Sequence, residues 1–114
     1  MSEKKEVRAT KIRELNDNFR QHAFGNGSIL ITAGVQALGE EKMLAVSSAV
    51  IAFDEFTPDN DPYGEHDFGS LEIAGEKIFW KIDYYDRSME MGSPDPADEV
   101  VTHRVLTIML ASEY

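Results

Sequence analysis

The chain has no cysteine. That excludes a disulfide framework and a thiolate metal site. It also lacks long apolar runs: Ala49–Phe53 is among the longest, far too short to span a bilayer. The first thirteen residues are charged and have no apolar segment of the secretory kind, so a cytoplasmic location is expected. Bases are scarce, with 11 Lys and Arg against 21 Asp and Glu, a formal net charge of −10.

What is present is ordinary globular material. Hydrophobic residues make up 42% and charged residues 28% of 114 residues. That suits one domain over 1–114 with its own core, with residues 1–6 as a candidate disordered start. The charge is unevenly spread. Residues 1–13 hold five bases and two acids, whereas Asp54–Glu99 hold fourteen acids and three bases. Such an acidic field repels phosphates, so direct nucleic-acid binding is not expected, and it attracts a basic protein groove. The plainer reading is that the acidity keeps the protein soluble.

The apolar spacing predicts an amphipathic helix over 3–23, with Ile12, Leu15, Phe19 and Ala23 inward, ended by Gly25-Asn26-Gly27. Ser28–Thr32 reads as a short buried strand. A second helix, 40–55, carries Met43, Val46, Val50 and Phe53 on one stripe. After a proline-containing loop, 65–73 and 76–85 read as a hairpin turning at Ala74-Gly75. A two-residue turn sets Gly69 opposite Trp80, Leu71 opposite Ile78 and Glu72 opposite Lys77. Leu71, Ile73, Ile78, Trp80, Ile82 and Tyr84 then share the core face. Alanine is a poor first residue for such a turn, so a bulge with a shifted register is the alternative. Phe68, Phe79 and Tyr85 fall on the other face, which a helix is expected to cover. Thr102–Tyr114 is apolar nearly all round; its length and the Thr102 cap favour a buried helix over a strand. The expected fold is α+β in the order α-β-α-β-β-α, with a small antiparallel sheet.

Several strings are distinctive: Phe53-Asp54-Glu55-Phe56-Thr57, Asp59-Asn60-Asp61-Pro62, Gly64-Glu65-His66-Asp67-Phe68-Gly69, Phe79-Trp80-Lys81-Ile82-Asp83-Tyr84-Tyr85-Asp86, Gly92-Ser93-Pro94-Asp95-Pro96 and Arg104–Leu110. On these the chain resembles a bacterial and phage family designated domain of unknown function 3768. The resemblance implies a setting of plasmids, integrated elements and phages. It implies no activity, so it assigns no catalytic residue.

Two constellations could carry chemistry. Asp59-x-Asp61-x-Tyr63-Gly64-x-x-Asp67 partly matches a calcium loop, but Tyr63 and Ser70 stand where ligands belong. Asp59, Asp61 and Asp67 are therefore a weak calcium or magnesium candidate beside the plain reading of a self-bonded turn. In the hairpin register His66 lies opposite Asp83, an imidazole–carboxylate pair that catalysis uses and that is also a common structural pair. The leading expectation is a non-enzymatic acidic protein that needs no cofactor. It would occupy a basic, nucleic-acid-facing groove through Asp59, Asp61, Tyr63, Glu65, Tyr85, Asp86, Asp95 and Asp98, as an anti-restriction or anti-CRISPR factor would. The alternatives are a metal-dependent hydrolase centred on His66, Asp67 and Asp83, and an accessory subunit without activity of its own. The oligomeric state is left open.

Overall fold

A computed structural model describes residues 3–114; residues 1 and 2 of the candidate disordered start lie outside the described residues. The elements are α1 (Glu3–His22), β1 (Gly27–Ile31), a one-turn α2 (Ala33–Gln36), α3 (Glu40–Ala52), β2 (Phe68–Ile73), β3 (Glu76–Tyr85) and β4 (His103–Leu110), with 3-10 turns at Glu99–Val101 and Ala111–Glu113. The fold is α+β. Its sheet has the order β1-β4-β3-β2.

The hairpin is as the alternation predicts. Gly69 pairs with Trp80, Leu71 with Ile78 and Glu72 with Lys77. Ala74 and Gly75 both take positive φ, +56° and +79°, the two-residue turn whose twist matches the strands. Ile78, Trp80 and Ile82 are buried and form one cluster with Phe19, Val35, Val46, Val50 and Phe53 from the helices.

The last segment corrects the expectation. His103–Leu110 is a strand, one of the two inner ones, antiparallel to β3 and parallel to β1. The sheet is therefore mixed, not antiparallel throughout. Arg104, Val105, Leu106, Ile108 and Met109 are all buried, on both faces. A strand covered on both sides loses its period-two alternation and looks like a buried helix. Because β4 takes an inner place, β1 is left at an edge with Ile29 and Leu30 exposed, rather than buried as its composition suggests.

The inward stripe of α1 is also rotated from the expected one. Ile12, Asn16, Phe19 and Arg20 are buried, while Leu15 is half-buried and Ala23 exposed. Ala23, at φ +56°, takes the left-handed capping position itself. Among the described residues no helix covers the second sheet face. Instead Tyr114 packs edge-on against Phe68 and Phe79 at one end of it, with ring centroids 6.0 and 5.5 Å away.

Candidate functional site: an acidic end of the sheet

Strand direction decides where the acids go. β2 begins, β3 ends and β4 begins at the same end of the sheet, because Phe68 pairs with Lys81 and Tyr85 with His103. The loop entering β2 and the loop leaving β3 therefore meet there. Residues 54–67 hold six acids and no Lys or Arg; residues 86–99 hold five acids and one base. The first half of α1 lies against both loops. Arg8 forms an ion pair with Asp95 at 3.1 Å, and Arg13 donates to the Gly64 carbonyl at 3.1 Å.

His66 does not face Asp83. Its φ of +54° turns the chain out of the ladder just before β2. Its ring stacks on Phe56 at 3.7 Å and 6°. Nδ1 lies 2.9 Å from an Asp17 oxygen on α1, and Nε2 3.6 Å from Asp61. Asp61 also accepts the His66 backbone N–H, and its side chain is only 8% exposed. Through Nδ1 and Asp17 the imidazole ties the loop to α1, with Asp61 near its other nitrogen. Asp83 instead pairs with Lys81 at 2.9 Å on the open sheet face. Among the described residues no three His, Asp or Glu side chains are grouped to hold a metal ion, Asp59, Asp61 and Asp67 included.

A buried polar chain lies behind this strut. Asn16 Nδ2 donates to the Glu65 carbonyl at 2.9 Å and to the Tyr84 hydroxyl at 2.8 Å. Arg104 Nε donates to Asn16 Oδ1 at 2.7 Å. The Glu65 and Asp67 carboxyls both reach Tyr84. Burial pushes the Glu65 carboxyl up, and the neighbouring Asp67 charge adds to that. Burial likewise raises Asp67, helped by Asp61 and Asp83. Tyr84 is raised too, chiefly by burial.

The remaining acids expected at a partner surface divide into two kinds. Asp86 is held by the Ser88 hydroxyl, which lowers its carboxyl, and it accepts the Glu90 N–H at 3.1 Å. Asp95 is engaged by Arg8, and Asp98 caps the 3-10 turn through the Val100 N–H at 2.9 Å. Asp59 is exposed, as is Tyr63 at 72%. Tyr85 is half-buried at the end of β3. Sequence reasoning missed Asn16, Asp17 and Arg20. Their signal is spacing: Asn16 and Arg20 fall four and eight residues after Ile12, on its stripe.

The fold and site together define a small α+β protein, with three helices on one face of a mixed four-stranded sheet among the described residues and an acidic end built from two loops. The chain belongs to the family described as protein of unknown function (DUF3768), which it matches over residues 31–113. No curated protein and no solved structure matches it.

Proposed function

We propose that this chain is a non-enzymatic binding protein of mobile genetic elements. It presents the acidic end of its sheet to a basic, nucleic-acid-facing groove of a host defence or processing protein. The observation that supports this reading most is the topology, which brings the 54–67 and 86–99 loops to one end of the molecule. Acids from two loops distant in sequence become one surface. Tyr63 stands exposed among them as an anchor, since tyrosine supplies contact area at low entropic cost. Asp61, Asp95 and Asp98 maintain the shape of that surface, and Asp59 and Glu90 are among its exposed charges.

The test begins with affinity capture from host lysate, with and without nuclease. The captured protein is then challenged with duplex DNA and with salt. The reading expects a basic partner that nucleic acid displaces and that binds more weakly as salt rises. Reversing Asp59 and Glu90 to lysine should weaken binding while the melting temperature stays the same. A reversed variant that binds as the parent does would reduce the acidity to a solubility device.

A further inference from the structure

The edge strand β1 carries an unpaired row of backbone groups. Thr32 N–H donates to Ile108, and Arg104 N–H donates to the Asn26 carbonyl. In a parallel ladder both groups of alternate residues point the same way. Residues 26, 28, 30 and 32 therefore face β4, and Gly27, Ile29 and Ile31 face outward. Of these outward groups the Ile31 carbonyl accepts from Gln36 Nε2 at 2.7 Å, which leaves it one lone pair. The strand has no proline, lysine or bulge, the devices that usually blunt such an edge. Beside it Phe24, Ile29, Leu30 and Ile51 are 68%, 50%, 55% and 48% exposed. A concavity of about 320 Å³, lined in part by Phe19, Ile29, Ile31, Ser47 and Ile51, opens on the helix side of the strand.

Charge selects the occupant. A chain of net −10 repels its own copy over most of its surface. Yet from Gln21 to Gly39, nineteen residues, there is no Asp, Glu, Lys or Arg, the longest such stretch in the sequence. An isologous contact sets a patch against itself, so it needs a patch without net charge. We infer that β1 pairs antiparallel with β1 of a second copy about a two-fold axis at Ile29, making one eight-stranded sheet. That axis sets Ile29 opposite Ile29, and Gly27 opposite Ile31, so every outward group meets an outward group. The two Ile29 side chains meet on the helix side, next to Ile51. Leu30 of each copy lies beside Ser28 of the other on the open side.

The experiment is sedimentation equilibrium of the full chain from about 1 µM to about 1 mM, a range that covers weak and moderate dimers. The expected result is a species of twice 12.8 kDa. Ile29→Lys puts two like charges at the axis and should weaken the dimer roughly 100-fold or more. Met91→Lys, at a 72% exposed site on the 86–99 loop, should leave it unchanged. Amide exchange on the parent chain needs no substitution: Ile29 N–H should gain protection with concentration, while Thr32 N–H stays protected throughout. A chain that is monomeric over the whole range overturns the inference and leaves the edge to a strand of another protein. So does a dimer that survives Ile29→Lys, one that Met91→Lys dissolves, or an Ile29 amide indifferent to concentration.

Discussion

Gly69 lies directly beneath the indole of Trp80. A Cβ built on Gly69 would collide with Trp80 Nε1 and come within 2.9 Å of Cζ2. The two residues face each other across β2 and β3, and Trp80 is fully buried. The glycine is thus a recess for the largest side chain of the core. Phe53 and Phe56 meet that indole edge-on at 5.7 and 6.1 Å, and Arg20 lies 4.8 Å over it.

Gly69→Ala should therefore cost about 1–3 kcal/mol by overpacking. Trp80→Ala should cost about 3–5 kcal/mol through the cavity it leaves. Urea unfolding of both variants measures this. In the parent, Trp80 fluorescence should resist acrylamide quenching, and ready quenching would contradict the burial.

Arg20 caps a helix it does not belong to. It donates from α1 to the Val50 and Ile51 carbonyls at the end of α3, at 2.7 and 3.1 Å. The Val50 carbonyl also accepts the Phe53 N–H of the C-cap at 3.3 Å, and a cation suits that end of the helix dipole. Burial lowers the Arg20 guanidinium from its usual value, with Asp17 partly offsetting the effect. Arg20→Met should cost about 1.5–3 kcal/mol, the range for hydrogen bonds to a charged group. Arg20→Lys should recover less than half, since a point charge cannot keep both bonds and the stacking. Equal stabilities for the two variants would reduce the role to filling space.

Glu65 and Asp67 make stability fall as pH rises. Both carboxyls titrate above their ordinary values of 4.5 and 3.8 in the folded chain, first because of burial. Over that window the folded state holds protons that the unfolded state has released, so raising pH favours unfolding. The Glu65→Gln, Asp67→Asn double variant should melt higher than the parent at neutral pH. The gain should shrink as pH falls and vanish only well below 3.8, where both carboxyls are protonated in the folded and unfolded chain alike. Calorimetry across pH checks this, and a variant that melts lower at neutral pH would refute it.

Ala74 holds a left-handed backbone that favours glycine or asparagine. Ala74→Asn or Ala74→Gly should stabilise the hairpin by about 1 kcal/mol, because the left-handed φ costs alanine about 1–2 kcal/mol. An unchanged urea midpoint would mean that the turn relaxes elsewhere.

The hairpin was legible because its information is local. Alternation and a two-residue turn specify partners within twenty residues, and the Gly69–Trp80 match confirms the register. The acidic loops were legible by composition, but their meeting was not, since it depends on strand direction. The His66 partner was misread because one residue at positive φ takes the chain out of the ladder that the hairpin alone would extend. Asp17 comes from α1, 49 residues away, and no period connects the two.

By itself, then, the sequence determined the α+β class, the hairpin register, the acidity of two loops and the lack of a membrane-length helix. Tertiary structure decided that His103–Leu110 is an inner strand and Gly27–Ile31 an edge. The physical reason is that burial on both faces erases periodicity, and a strand's place in a sheet depends on partners distant in the chain. The β-branched residues Val100, Val101, Thr102, Val105, Thr107 and Ile108 were the one local sign of a strand there. In the sequence, length and a candidate cap outweigh it; the neighbours that make it a strand, β1 and β3, come only with the tertiary fold.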